Sequence, residues 1–460
     1  MLSPVDFSGR PFHFIGIGGI GMSAIAHILV KQGFSVSGSD LNTNRVTAQL
    51  QELGVNIFQG HHAENIDPKN PPQVVCSTAI GQQNPEFQAA TLLGLPILHR
   101  SDLLAALIGR YKSIAVAGTH GKTTTSSLVS YLFLKANLDP TIIVGGEVGA
   151  WQGNARLGLG AYLVAEADES DGSLVKFAPH VGAITNIELD HPDHYDSVEQ
   201  VIAIFQEFAQ RCQVVVGCLD CPNVRSHIRS DITYSLSDPK ADYTVTEVEY
   251  LAGNTKAVVL EKGKPLGQIS LQILGQHNLS NALAAIAVAR YVGIEWADIE
   301  AALPEFIGAN RRFEVKGRQD GIIFVDDYAH HPSEILATLA SAKRQSQSKV
   351  IAIFQPHRYS RTTRFLTEFS QAFGDADRVI VTDIYAAGER NETNITGQEV
   401  ADAIATFHPD VHYQDSLSAV QAFLVKNLKA GDLAIFLGAG NLNQIIAPTI
   451  QAMAACCPSK

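Results

Sequence analysis

The sequence predicts three α/β domains in series, and three observations carry that reading. Strand-like apolar runs alternate with helix-period segments from Phe12 to about Leu107, and the alternation restarts near Ala309. Two glycine-rich turns, Gly16–Gly21 and Gly118–Thr123, each stand between a strand-like run and a helix-like one. A chain of 460 residues also exceeds what one compact core organises, and its length suggests roughly two to four domains. The expected divisions are a Rossmann-like domain over 1–108, a P-loop-type domain with added antiparallel strands over 109–308, and a second Rossmann-like α/β domain over 309–460.

Taken in order, Phe12–Ile17 enters the first turn, "MSAIAHILVKQG" has helical spacing, and "FSVSGSD" reads as the next strand, which makes a β-α-β unit. "PQVVCSTAI" and "PILHRSDLL" read as further strands. "KSIAVAG" then leads into "GTHGKTTT" and the helix "TTSSLVSYLFLKANL". The runs "AYLVAEADESD" and "VGAITNIELDHPDHYDS" end in acidic residues and histidines, at the end of a parallel strand where ligand groups gather. From Ile232 to Ile273 the short alternating runs "YTVTEVEYLAG", "KAVVLEKG" and "GQISLQIL" predict antiparallel strands, and "NALAAIAVARYVG" closes the domain as a helix. Beyond "PEFIGANRRFE", four strands are expected in "GIIFVDDYAHHP", "KVIAIFQPHRYSRT", "RVIVTDIYAAGE" and "DLAIFLGAGN", each ending in a polar cluster.

Composition narrows the function classes. Hydrophobic residues make up 46% and charged ones 17%, enough for several buried cores and unlike a disordered chain. The net charge of −12, without a basic block, argues against nucleic acid as a partner. No apolar run approaches a membrane span and no signal core opens the chain, so no membrane partner and a cytoplasmic location are expected. Cys76, Cys212, Cys218, Cys221, Cys456 and Cys457 offer one C-x-x-C but no second pair or histidine at zinc spacing, so reduced thiols are expected.

"GIGGIG" fits G-x-G-x-x-G, with glycines Gly16, Gly18, Gly19 and Gly21 and with Asp40 ending the next strand. Without Cβ atoms the backbone can approach a pyrophosphate, and the helix N-terminus supplies N–H donors; a nicotinamide oxidoreductase is the plainest reading of this loop alone. The second loop departs from the standard P-loop, because Val116 stands where a glycine is usual. Gly118, Thr119, His120, Gly121, Lys122, Thr123 and Thr124 nonetheless make a phosphate cradle: the Lys122 ammonium can reach β/γ-phosphates and the Thr123 hydroxyl can ligate Mg²⁺. Glu166, Asp168, Glu169 and Asp171 at one strand end, and Asp190, His191 and His194 at another, supply the ligands that Mg-ATP needs and hydride transfer does not. Each acid alone could be a solvated strand end. Asn278 and Asn281 fall three apart on one helix face, where a nucleotide contact and an N-terminal cap are both open. Arg358 and Arg361 follow a strand and can each donate to a carboxylate.

The ordered set "GIGGIGMSAIA", "GTHGKTTT", "AEADESD", "TNIELDHPDHY", "GQHNLSNALAA", "RRFE", "DDYAHHP", "QPHRYSRT", "DIYAAGE" and "GAGN" resembles the Mur ligases from about residue 12 to 443. The resemblance implies a UDP-sugar domain, an ATPase domain and an amino-acid domain, and an ATP-dependent ligase that joins L-alanine to UDP-N-acetylmuramate through an acyl phosphate. A tripeptide-adding recycling ligase shares most of these motifs and stays open, as does a nucleotide-gated binding module. By this resemblance Gly16, Gly18, Gly19, Gly21 and Asp40 serve the UDP-sugar. Gly118 to Thr124, Asn278, Asn281, Arg312 and Asp327 serve ATP. Tyr328, His330, Arg358 and Arg361 serve the amino acid. Lys122, Glu166 and His191 are the implied catalytic residues. Thr123, Glu166 and His191 are the implied ligands for two Mg²⁺, with Mn²⁺ as a substitute; orienting the acyl phosphate is an alternative role for His191. A monomer or weak homodimer is expected.

Overall fold

A computed structural model describes residues 5–251, 253–345 and 348–456; Cys457 lies outside them. Three sheets follow one another along the chain. The first is parallel, with β1 (Phe12–Ile15), β2 (Val36–Asp40), β3 (Asn56–Gln59), β4 (Gln73–Cys76) and β5 (Ile97–His99) in the order β3-β2-β1-β4-β5. The order reverses between β1 and β4, and such a switch point opens a crevice at the strands' C-terminal ends. Of "PILHRSDLL" only Ile97–His99 is strand. Arg100–Ile108 is a helix, because Asp102 accepts the His99 backbone N–H and His99 accepts from Ser101, a reciprocal cap that starts a helix there.

The second sheet contains β6 (Lys112–Ala117), β7 (Thr141–Val148), β8 (Gly153–Arg156), β9 (Tyr162–Glu166), β10 (Val181–Ile184), β11 (Val214–Cys218), β12 (Ile232–Tyr234), β13 (Tyr243–Leu251), β14 (Asn254–Glu261) and β15 (Lys264–Leu271). Its order is β15-β14-β13-β12-β11-β10-β6-β9-β7-β8. β6 is sandwiched: Ile114 and Val116 enter one core, Ala115 and Ala117 the other, as expected for a central parallel strand covered on both faces. Antiparallel pairing is confined to β13–β15 and the β7–β8 hairpin; β12, at the start of the expected antiparallel section, pairs parallel with β11.

The third sheet has β16 (Glu314–Gln319), β17 (Ile322–Asp327), β18 (Val350–Phe354), β19 (Arg378–Thr382), β20 (Val411–Gln414) and β21 (Leu433–Leu437), ordered β16-β17-β21-β18-β19-β20. Val350, Ala352 and Phe354 face one core while Ile351 and Ile353 face the other. All three α/β units therefore present the C-terminal ends of parallel strands to loops that can carry a site. Among the described residues no helix is long and apolar enough to cross a membrane, and Cys76, Cys212, Cys218 and Cys221 are unpaired thiols.

Candidate active site

The lysine–threonine loop leaves β6 and turns into the helix Lys122–Lys135. Gly118 and Gly121 have φ of +140° and +80°; a Cβ on Gly118 would lie 1.9 Å from Thr185 Oγ1, so both backbone and space demand glycine there. The loop is pinned from the segment after β10. Thr119 N–H donates to the Asn186 carbonyl (3.0 Å), His120 N–H to Asn186 Oδ1 (2.8 Å), and Thr185 Oγ1 to the His120 carbonyl (2.6 Å). These bonds hold an otherwise irregular turn in one shape.

Lys122 Nζ donates to the Gly118 and Thr119 carbonyls (2.6 and 3.1 Å) and to both oxygens of Glu169 (3.0 and 2.8 Å). Burial disfavours its charge, but Glu169, Asp168 and Glu166 outweigh that and raise its pKa. Burial, with Asp168 close by, lifts buried Glu169 to about 7 despite Lys122. Glu169 is thus the partner that holds the ammonium in the cradle, a role the sequence did not single out among four neighbouring acids. Asp168 and Asp171 turn instead to Arg100 of the first domain (3.1 and 3.3 Å).

Glu166 ends β9 beside β6 and accepts the Gly145 N–H at Oε2 (2.8 Å); a Cβ on Gly145 would sit 2.5 Å from Oε1. Asp168, Glu169 and His191 bring one ligand atom each within 4.8 Å of one another. His191 has φ +54°, and burial lowers its pKa, leaving a neutral ring able to ligate. The hydroxyl of Thr123 and the carboxylate of Glu166 are oxygen donors that fit a hard divalent cation, while the nitrogen of His191 departs from that preference.

A cavity of about 220 Å³ opens where the central and C-terminal domains meet, lined by His120, Gly121, Thr124, Asn278, Asn281, Arg312 and Asp327 among others. Asn278 and Asn281 do not cap their helix, whose N-cap is Gly275. Asn278 Nδ2 donates back to the Leu274 carbonyl (2.8 Å) and Asn281 Nδ2 to Asn278 Oδ1 (3.2 Å), so the capping alternative is corrected. Arg311 is tied to the Gly438 carbonyl (2.6 Å) and Asp326, and both Arg311 and Arg312 lie over the Tyr328 ring, at 4.9 and 5.3 Å. Asp327 accepts the Phe313 and Ala329 N–H groups (2.7 and 2.8 Å), and burial lifts it to about 6.

His120 sits between two domains. Its Nε2 is 3.4 Å from Glu188 of the central domain and its Nδ1 3.2 Å from Glu334 of the C-terminal domain; these carboxylates overcome burial and raise it to about 10. Glu188 and Glu334, neither foreseen from sequence, make His120 a cation at neutral pH.

The four residues expected at the amino-acid pocket gather, but each is already engaged. His330 Nδ1 lies 2.9 Å from the Tyr328 carbonyl, which fixes that nitrogen as the donor and leaves a lone pair on Nε2; burial pushes the ring down to about 4. Arg361, 2% exposed, places Nε and Nη2 on Asp190 Oδ1 (both 2.9 Å). Arg358 reaches Asp193 (2.7 Å) and Glu389 (3.4 Å) from a backbone with φ +67°. Both guanidiniums therefore bridge to the segment that carries His191.

In the first domain, Gly16–Gly21 links β1 to the helix Ile20–Lys31, with Gly19 as N-cap. Gly18 N–H donates to Asp40 Oδ2 (2.9 Å), so Asp40 shapes the loop. Below it Glu86, fully buried, accepts from Ser39 Oγ (2.6 Å) and Asn65 Nδ2 (2.5 Å) and lies 3.3 Å from His13.

These features define a three-domain α/β enzyme with a nucleotide cradle at a domain junction and a second glycine loop in a separate domain. The family models that match are described as the Mur ligase family catalytic domain (residues 11–112), the Mur ligase middle domain (116–289) and the Mur ligase glutamate ligase domain (311–440). The chain belongs to the Mur ligase family. It is 60% identical to a UDP-N-acetylmuramate–L-alanine ligase of Cyanothece sp., covering 97% of this chain and 96% of the relative, and 57% identical to that of Nostoc sp., covering 99% of each. A crystal structure of the UDP-N-acetylmuramate-alanine ligase of Thermotoga maritima superposes with a TM-score of 0.83 at 30% identity, covering 97% of this chain and 98% of the other.

Proposed function

We propose that this chain joins L-alanine to the carboxylate of UDP-N-acetylmuramate, driven by ATP, giving UDP-N-acetylmuramoyl-L-alanine, ADP and phosphate in peptidoglycan biosynthesis. One observation carries the reading: the end-to-end likeness, at 57% and 60% identity, to relatives named for that reaction. The site supports it, because two separate glycine loops give a diphosphate and a triphosphate each a cradle.

A carboxylate does not condense with an amine at neutral pH. The γ-phosphoryl group of ATP is first transferred to a carboxylate oxygen, releasing ADP and making an acyl phosphate. The amine of alanine attacks the carbonyl; the tetrahedral adduct expels phosphate, and the nitrogen loses its proton as the amide forms. Catalysis is mostly positioning and charge neutralisation. Lys122, once it exchanges Glu169 for phosphate oxygens, steadies the transferring group. Thr123, Glu166 and His191 would hold Mg²⁺ at two positions, with Mn²⁺ as substitute, and the bound ions would supply further neutralisation of phosphate charge. Gly118 to Thr124, Asn278, Asn281, Arg312 and Asp327 take the nucleotide, and Gly16, Gly18, Gly19, Gly21 and Asp40 the UDP moiety. Tyr328, Arg358 and Arg361 take alanine's carboxylate side; the Nε2 lone pair of His330 suits its amine. We infer a monomer or weak homodimer and a cytoplasmic location.

Coupled ADP release tests the reading, with UDP-N-acetylmuramate, Mg-ATP and either single amino acids or an L-Ala-γ-D-Glu-containing tripeptide. Release that requires L-alanine is expected; release with tripeptide alone would make this a recycling ligase.

A further inference from the structure

At the wall of the nucleotide cavity, whose lining includes His120 and Glu188, three side chains converge that the ligase chemistry above does not use together. His120 and Glu188 come from the central domain and His331 from the C-terminal one, and one ligand atom of each lies within 4.8 Å of the others. Nε2 of His331 is buried and, among the described residues, lacks a hydrogen-bond partner, and Nε2 of His120, also buried, has only the 3.4 Å ion-pair contact to Glu188. His331 is only 5% exposed, its ring wedged against His120 and Phe365 with centroids 4.7 and 4.9 Å apart. The His120 Nε2 to Glu188 Oε2 separation of 3.4 Å matches the edge, about 3.3 Å, of a tetrahedron with metal–ligand bonds near 2.0–2.1 Å. Glu334 stands 3.2 Å from His120 Nδ1, where a carboxylate takes the second ring proton of a metal-bound histidine, and Ser333 Oγ donates to Glu188 (2.7 Å).

We propose that His120, Glu188 and His331 form a site for a late first-row divalent ion of the Zn²⁺ class, which ties the central domain to the C-terminal domain. Two imidazoles and one carboxylate select such an ion over Mg²⁺ and leave one coordination position open for water or a phosphate oxygen. The site is distinct from Thr123, Glu166 and His191. Binding has two local consequences. The ion displaces the proton that His120 otherwise carries between its carboxylates. His331 takes the Nδ1–H tautomer, giving up the long 3.3 Å contact from Ser333 N–H.

The test uses the full chain and Co²⁺ without substrates, so that its outcome is independent of which reaction the enzyme performs. A tetrahedral site gives a visible d–d absorption that titrates to one equivalent. His331→Ala and Glu188→Gln should each weaken Co²⁺ binding by about tenfold or more, and Glu334→Gln by about 10–100-fold, while His191→Ala leaves the band in place. Zn²⁺ should abolish the band by competition. Absence of the band overturns the proposal, as does a band that persists in Glu188→Gln and in folded His331→Ala, or one lost only in His191→Ala. Glu188 is half-exposed, so its variant keeps the test decisive if the buried His331 variant does not fold.

Discussion

The two glycine loops occupy equivalent places, each between a parallel strand and a helix N-terminus, yet their surroundings differ in kind. At Gly16–Gly21, Asp40 accepts the Gly18 N–H, Arg100 Nη1 lies against Gly21, and the neighbouring carboxylate Glu86 is buried in hydrogen bonds to its own domain. At Gly118–Thr123, Lys122, Glu169, Asp168 and His120 crowd the turn, and His120 reaches a carboxylate of another domain. A loop that holds a diphosphate intact needs donors and room. A loop that moves a phosphoryl group needs mobile charge and a partner to hold that charge between turnovers. On the proposed function, that contrast fits a first loop that holds a diphosphate and a second that moves a phosphoryl group.

Lys122→Ala should break the contrast most severely. Turnover is expected to fall by about 10³-fold or more, the scale of losing charge stabilisation in phosphoryl transfer, while affinity for the UDP-sugar, measured by calorimetry, changes little. A near-normal rate would remove the second loop from the chemistry. Alanine at the tightest glycine of each loop comes next. Gly118→Ala forces a Cβ to 1.9 Å from Thr185 Oγ1 at φ +140°, whereas at Gly18 it meets side-chain ends of Asp40, Asn44 and Thr47 at 2.9–3.1 Å, which can shift. Thermal denaturation should show a loss of about 3 kcal/mol for Gly118→Ala and about 1 kcal/mol for Gly18→Ala. Equal losses would mean that the two loops are equally constrained.

A smaller effect separates binding from catalysis. Asp40→Asn removes a charged acceptor from Gly18 N–H, worth about 1.5–3 kcal/mol when fully lost. The apparent KM for UDP-sugar should rise by about tenfold with kcat and the KM for ATP unchanged. Arg358→Ala should raise the KM for alanine by about fivefold, since the exposed part of its pairing with Asp193 contributes little by itself. An unaltered alanine dependence moves the pocket elsewhere.

The strand–loop–helix grammar of all three units was legible because glycine turns and apolar runs report local geometry. What failed was information that only a third dimension supplies. "RSDLL" has the apolar residues of a strand, and its helix is decided by the reciprocal His99–Asp102 cap, with histidine an uncommon N-cap. β7 was missed because its glycine pair, Gly145–Gly146, reads as a turn, yet both glycines make room for Glu166 and Thr123. β20 is a half-buried edge strand with little periodic signal. At the site, Lys122, Thr123, Glu166 and His191 stand out by motif, but nothing in "EADESD" says that Glu169 takes the lysine while Asp168 and Asp171 turn to Arg100. The resemblance gives Arg361 to alanine's carboxylate, and nothing local in the sequence says that its Nε and Nη2 rest on the chain's own Asp190, 171 positions away.

The pH response sharpens the comparison last, because the two regions differ at the alkaline end of the scale; at the acid end the depressed carboxylates Glu188 and Glu334 beside His120 give the junction a loss of its own. His120 has a folded value near 10 against about 6.5 when unfolded. A raised base contributes its full stabilisation below the unfolded value and loses it as pH climbs through the folded one, so the junction of the central and C-terminal domains should loosen between about pH 6.5 and 10. Burial opposes ionisation of Glu86, but hydrogen bonds from His13, Ser39 and Asn65 prevail and lower its pKa. A depressed acid stabilises above its unfolded value of about 4.3 and loses that as pH falls, so the first domain should loosen at the acid end. Limited proteolysis read by mass spectrometry resolves the alkaline difference: cleavage near the central–C-terminal junction should increase toward pH 10, while cleavage in the first domain should increase only as pH falls below about 4. His120→Asn should flatten the alkaline limb and leave the first domain's acid limb alone. If both limbs respond to that single change, the two cradles are not independent, and the charge at the second loop is felt through Arg100, which joins Asp168 and Asp171 to the first domain.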